Sequence, residues 1–260
     1  LGVIALVWAT SLVLVRARPG RAGAVSLLFY RFATVFLAPM VYMLVLRDLL
    51  PIANPGNLDP TLHAIDRRLF GVEPTLFLDD GYVTTGATAW FSFFYYLYFY
   101  YLAIHSIPML FTRLAFITDF GLTVLLVICV GQVGYMLVPG YGPYVALADT
   151  FKHPLPDGFW YRLVLDTVTS GSAQKDLFPS LHTGGTMTIA IFCFRHRRHA
   201  PFRYTWPITA FFALNTMGAT IYLRWHWAID VIAGLALVIA ANVASPWLAA
   251  RERARRERLG

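Results

Sequence analysis

The sequence predicts an all-α integral membrane protein, a six-helix transmembrane bundle with one additional N-terminal span. Three observations carry that prediction. Of the 260 residues, 58% are hydrophobic and only 13% are charged, where a soluble domain carries roughly 25% charged residues. The apolar residues come in blocks rather than in amphipathic alternation. The basic residues sit in short clusters between those blocks, and they fall on one side when the blocks are threaded through a bilayer.

A spanning helix needs about 20 mostly apolar residues. Candidate spans lie at 1–15, 26–46, 88–111, 116–138, 182–195, 205–224 and 227–249. The chain begins at Leu1, so the first reads as the tail of a longer span or signal anchor. This divides the chain into an N-terminal span and loop (1–25), a membrane domain (26–250) and a basic tail (251–260).

Arg16, Arg18 and Arg21 occupy the first short loop and Arg113 the second. Arg195, Arg197, Arg198 and Arg203 occupy the third, and Arg251, Arg253, Arg255, Arg256 and Arg258 the tail. The positive-inside rule makes their common side cytoplasmic. Most acids, among them Asp59, Asp66, Glu73, Asp79 and Asp176, lie opposite, in long loops at 47–87 and 139–181. The expected location is therefore a plasma (inner) membrane, with the C-terminus cytoplasmic. The net charge of +7 serves topology here and does not imply a nucleic-acid partner.

Within the first long loop, residues 58–78 read as an interfacial helix on the outer leaflet. The second loop, rich in Pro and Gly, reads as an irregular segment over the bundle, a lid or substrate-entry wall. Cys129 and Cys193 both lie in apolar runs and read as core packing, with no disulfide framework or paired-cysteine zinc motif. The aromatic run 91–101 reads as lipid-facing or bundle packing. His196 and His199 read as solvated, His63, His105 and His153 as structural or interfacial, and Asp119 has no evident role.

Ionisable groups at membrane depth are costly, which makes each a functional candidate. Two places qualify, both on the outer side: Lys175 to Gly184 at the start of one span, and Tyr222 to Asp230 between the last two. His182 to Arg195 covers about 20 Å of helix at 1.5 Å per residue, which sets His182 somewhat below the outer surface of a core about 30 Å thick. His226 and Asp230 are four apart and share a helical face. A carboxylate on one ring nitrogen sets the tautomer and leaves the other to attack. His182 at a helix start suits proton donation. The helix opening at Ser180 directs free N–H groups at an anion, and Arg224 and Lys175 add positive charge. Together these describe phosphoryl transfer through a phosphohistidine.

The plainer readings are a helix-capping pair for His226 and Asp230, an interfacial histidine for His182, an arginine snorkelling to the interface for Arg224, a loop lysine for Lys175 and a simple N-cap for Ser180. A metal site of His182, His226 and Asp230 has suitable ligand types but is not the expectation.

The phrases FPSLH (178–182) and YLRWHWAIDVIAG (222–234) resemble the second and third signature motifs of the type 2 phosphatidic acid phosphatase superfamily. LDPTLHAIDRRLFGVEP (58–74) and GYMLVPGYGP (134–143) resemble its inositol phosphorylceramide synthase-like branch, so the resemblance covers roughly residues 55–240. It implies a six-helix bundle, chemistry without metal or other cofactor, and membrane lipid substrates, a phospholipid donor and an alcohol or lipid acceptor. It also implies His226 as nucleophile, Asp230 as its orienting partner and His182 as general acid. Two departures stand out. The Lys-x6-Arg-Pro first motif is absent, and Thr220 stands where the third motif has arginine six residues before the histidine. A phosphodiester carries one negative charge and a phosphomonoester two. A thinned cationic clamp therefore leans toward a diester donor and a transferase, unless Arg162 or Lys175 restores the charge. The alternatives are a lipid phosphate phosphatase and a non-catalytic lipid-binding or transport protein, though no inverted repeat supports a transporter.

Overall fold

The computed structural model describes residues 49–109, 114–171 and 175–259. The expected spans 1–15 and 26–46, and the arginines at 16, 18, 21 and 113, lie outside them. The described residues form ten helices and no strand. The helices are α1 (Asp59–Phe70), α2 (Pro74–Gly81), α3 (Thr85–Tyr96), α4 (Tyr98–Met109), α5 (Leu114–Leu137), α6 (Pro143–Ala146), α7 (Phe159–Gly171), α8 (Leu181–Arg195), α9 (Phe202–Tyr222) and α10 (Ala228–Leu259).

Helix α8 is the centre of the assembly and packs against α4, α5, α9 and α10. Its core face is unusually fine-grained, with Thr183, Gly184, Thr186, Thr188 and Ala190 buried beside Leu181, Ile189 and Phe192. Small side chains let helix backbones approach closely, which is how helices associate where no hydrophobic gain separates protein from lipid. The hydroxyls of Thr186 and Thr188 donate to the carbonyls of His182 and Gly184, each at 2.8 Å, whereas the buried Thr183 hydroxyl has no partner among the described residues. Two stretches are long and apolar enough to cross a bilayer, Asp119–Leu137 in α5 and Ala228–Arg251 in α10. With α8 and α9 they occupy the predicted spans 116–138, 182–195, 205–224 and 227–249.

Several expectations need correction. The predicted span 88–111 is two helices with an irregular turn at Leu97. Hydrogen bonding nearly continues through it, with Leu97 N–H bonding to Phe93 O and Tyr101 N–H to Leu97 O. The aromatic run divides between Tyr95, Tyr98 and Tyr101 facing inward and Phe99 and Tyr100 exposed.

The second long loop is not irregular throughout. Beyond Gly158 it forms α7, whose Tyr161, Val164, Leu165 and Val168 recur at helical spacing and pack with Tyr95, Tyr222 and Leu223. The tail at 251–259 is a helical continuation of α10. Cys129 is exposed, whereas Cys193 is buried as expected.

At the far end of α5 from the histidines, Asp119 gains a role. Its carboxylate meets Arg195 at 3.3 Å, His196 Nε2 at 3.1 Å and Ser245 Oγ at 3.3 Å, tying α5 to α8 and α10. His196 is thus a partner in a half-buried cluster, packed against Phe116 and Phe192, and not a solvated loop residue.

The segment 58–78 forms α1 and most of α2, separated at Gly71, whose φ of 76° ends α1 in the left-handed region. Leu69 and Phe70 are exposed, but the opposite face docks on α10 and α6 and buries Asp59, Leu62 and Asp66. These two acids face protein rather than a leaflet.

Candidate active site

The site is assembled where α9 ends, α10 begins and α8 begins. Helix α9 stops at Tyr222, and Arg224 adopts φ 69°, a left-handed conformation rare for a non-glycine residue. The N–H groups of Trp225 and His226 both fold back to Thr220 O, at 3.0 and 3.1 Å. The position that lacks the superfamily arginine thus supplies the carbonyl that anchors the histidine. Arg224 O in turn accepts Tyr144 N–H at 2.7 Å. Gly142 is required for that clasp. Its φ is 82°, and a Cβ there would lie 2.4 Å from Trp225 O.

Asp230 stands in the first turn of α10 and caps it, accepting Trp227 N–H on Oδ2 at 2.9 Å. The same oxygen lies 3.4 Å from His226 Nδ1. Both residues are buried, and His226 Nδ1 and Asp230 Oδ1 have no hydrogen-bond partner. Buried polar atoms left unpaired are rare and call for an explanation.

Helix α8 is brought to the same place through its cap. Ser180 is the N-cap residue and accepts Thr183 N–H, while Ser180 N–H donates to Asp230 O at 3.0 Å. A Cβ on Gly234 would come within 2.6 Å of Ser180 O, so glycine permits the contact between α8 and α10. His182 follows in the first turn. Its ring centroid is 5.8 Å from that of His226, with 62° between the planes. Tyr95 stacks on it at 4.4 Å and Tyr98 lies at 4.5 Å. The turn at Leu97 separates these two tyrosines along the chain.

Both imidazoles wall one cavity of about 660 Å³. It continues from them between α4, α5 and α8, past Leu102, Val124, Val127 and Ile189 as far as Ser106 and Phe120. Its lining is mostly apolar, in keeping with a site for a ligand that is largely hydrocarbon. Among the described residues no three His, Cys, Asp or Glu side chains are arranged to hold a metal ion.

The structure therefore brings His182, His226, Asp230 and Ser180 together, but not the expected cations. Arg224 points away and bonds Asp79 Oδ1 at 2.8 Å and His153 O at 2.6 Å, with its guanidinium 3.8 Å from the Phe151 ring centroid. Lys175 is buried with Nζ on the carbonyls of Asn54, Pro55 and Gly56. Neither walls the cavity. Arg162 pairs with Asp157 on the surface.

Four acids were not singled out by the sequence. Asp66 accepts the N–H groups of Ala228 (2.6 Å) and Ile229 (2.8 Å) at the start of α10. Asp59 accepts Trp227 Nε1 and the N–H groups of Tyr141 and Gly142. Asp79 holds Arg224 and the N–H groups of Lys152 and His153. Asp176 lies in the cavity wall. A signal existed for the first two, since residues seven apart share a helix face and two acids on the buried face of one helix need partners.

A family model described as the PAP2 superfamily matches residues 60–244. The chain belongs to the PAP2 superfamily. The match begins in α1 and ends within α10, so it spans the acid-bearing outer helices as well as both histidines. PAP2 membership makes this a membrane enzyme of the phosphatase or phosphotransferase kind. No curated protein and no solved structure matches the chain.

Proposed function

We propose that this PAP2 protein is a phosphotransferase that moves a phosphate-bearing head group from a phospholipid to an alcohol acceptor, as in the inositol phosphorylceramide synthase-like branch. The observation that carries this reading is that His182 and His226 stand side by side in the wall of a single largely apolar cavity, 5.8 Å between ring centroids. A phosphorus atom in the cavity beside both rings would have a nucleophile and an acid within reach.

In the first half-reaction the His226 nitrogen remote from Asp230 attacks phosphorus. The bond to the lipid alkoxide breaks, and His182 gives its proton to the departing oxygen. Asp230 keeps the attacking ring oriented and stabilises the positive charge it acquires. In the second, an acceptor hydroxyl attacks the phosphohistidine, the P–N bond breaks, and the hydroxyl proton returns to His182. The phosphate rests on the N-terminus of α8, behind Ser180, where backbone N–H groups and the helix dipole favour an anion. No metal takes part in these steps. Because Arg224 and Lys175 are held elsewhere, a diester with one negative charge suits the site better than a monoester dianion. The basic clusters favour a reaction on the extracytoplasmic side.

The test is turnover of phosphatidylinositol by purified protein, with and without ceramide or diacylglycerol, alongside His226→Ala. Transfer of inositol phosphate to the lipid alcohol, abolished in the variant, supports the proposal. Release of free phosphate from a monoester instead makes the protein a phosphatase. Retained ligand binding with no turnover in either protein makes it a binder.

A further inference from the structure

Two imidazoles stand in this site, and they are held by different means. Asp230 lies 3.4 Å from His226, whereas among the described residues no carboxylate pairs with His182. Aromatic rings surround His182 instead. Tyr95, in the last turn of α3, stacks on its ring with centroids 4.4 Å apart and 22° between the planes. Tyr98, the first residue of α4, lies at 4.5 Å and 43°, and Phe99 meets the ring edge-on at 6.4 Å. Tyr98 is itself fixed to α8. Its hydroxyl donates to Leu181 O at 3.0 Å, and a Cβ on Gly185 would come within 2.8 Å of that hydroxyl, so glycine leaves it room. Both tyrosines are buried.

The reaction proposed above needs His182 charged and neutral in turn. It begins as imidazolium and gives its proton to the departing lipid oxygen as the P–O bond breaks. It regains a proton from the acceptor hydroxyl as the P–N bond breaks. The positive charge thus passes from His182 to His226 and back, and the two rings are never charged together. An imidazolium in an apolar wall loses its hydration and needs compensation. The face of a tyrosine ring is negative and attracts a cation within about 6 Å of its centroid, more strongly where water is excluded. The Tyr95 ring meets that condition with its face on His182. The other titratable groups around His182 are Tyr98 and His226, with Asp230 behind His226 and with Asp176, Tyr135, Tyr141 and Tyr144 elsewhere in the cavity wall. Resting on the reading of His182 as proton donor, we infer that Tyr95 is a positioning residue for proton transfer: its ring face holds the His182 imidazole and favours its charged form, as Asp230 does for His226.

The experiment uses the full chain in detergent micelles and takes two readings. One is the basic limb of kcat with phosphatidylinositol. The other is the titration of His182 without substrate, followed by NMR of isotope-labelled histidine and assigned by its absence in His182→Gln. Tyr95→Leu is expected to move both to lower pH, by about half a unit to one and a half units. Above the limb that is about a threefold to thirtyfold loss of kcat, with KM little changed. Returning the ring in Tyr95→Phe is expected to recover most of the shift. A Tyr95→Leu titration that coincides with the wild type overturns the inference. So does a loss that Tyr95→Phe does not recover, which would assign the effect to the hydroxyl. Should Tyr95→Leu not fold, phenylalanines with successive ring fluorines at position 95 decide, because fluorine drains negative charge from the ring face and keeps its shape. The titration is expected to step down with each fluorine, and a constant titration overturns the inference. If His182→Gln retains turnover, His182 is not the acid, and the inference falls while the phosphotransferase reading stands. If the wild type turns over no lipid phosphate ester, that reading falls and takes the proton-transfer role of Tyr95 with it, whatever the titration shows.

Discussion

Asp59 Oδ1 accepts the indole N–H of Trp227 at 2.9 Å, joining the first outer helix to the residue that follows His226. Trp227 is fully buried, and Asp66, two turns further along the same face of α1, grips the next two N–H groups. The entrance to α10, and with it Asp230, is thus held by a helix more than 150 residues upstream.

Asp66→Ala leaves two buried N–H groups without acceptors, at about 1–3 kcal/mol each. It should lower the unfolding midpoint and turnover together. Asp66→Asn retains one acceptor oxygen and should lose less. Thermal unfolding in detergent, read beside kcat, decides the order.

Asp230→Asn preserves size but replaces the carboxylate 3.4 Å from His226 Nδ1. A histidine that loses its orienting carboxylate elsewhere drops in rate by about 10⁴-fold, and a fall of that order is expected in kcat with little change in KM. A change in KM alone would point to a capping role only.

Burial pushes the His226 imidazole down to about 4 from its usual 6.5. The ring is then neutral, as a nucleophile must be, at every pH above that value. The acid limb of kcat/KM should fall near pH 4, and a limb near 6.5 would contradict the burial. Stability moves with it. The unfolded chain takes up a proton near 6.5 and the folded chain only near 4, so stability is lost as pH falls through that window.

Arg224 and Asp79 form a buried pair with side chains 8% and 2% exposed. Removing one partner of such a pair costs about 3–5 kcal/mol. Arg224→Ala and Asp79→Ala should therefore both destabilise the fold, and the double variant less than their sum. If Arg224 gripped substrate phosphate instead, its loss would raise KM and Asp79→Ala would not.

Gly234→Ala places a methyl group 2.6 Å from Ser180 O. Overpacking costs typically about 1–3 kcal/mol, and here it would pry the start of α8 from α10. A loss of kcat larger than the loss of stability implies, measured on the folded fraction, is the expected result.

Helices α5, α8, α9 and α10 were legible because each is an apolar block ended by charge, proline or glycine. The motifs around His182 and His226 predicted that the two rings share one end of the bundle, and the structure brings them edge to face with centroids 5.8 Å apart. The turn at Leu97 had no such mark, since no glycine or proline stands there. Helix α7 was hidden by the prolines and glycines that precede it. The direction of Arg224 was beyond local reading, because it depends on one left-handed φ and on Asp79, 145 residues away.

The brace made by Asp59, Asp66 and Asp79 also bears on where the working unit starts. A piece of this chain beginning after residue 81 would keep both imidazoles, Asp230 and every phrase that marks the superfamily's second and third motifs. It would also carry an unsupported indole, two stranded amides at the head of α10 and an arginine without its counter-charge. The minimal machine is therefore longer than its chemistry, and trimming it to the residues that react would leave the reagents without the frame that aims them.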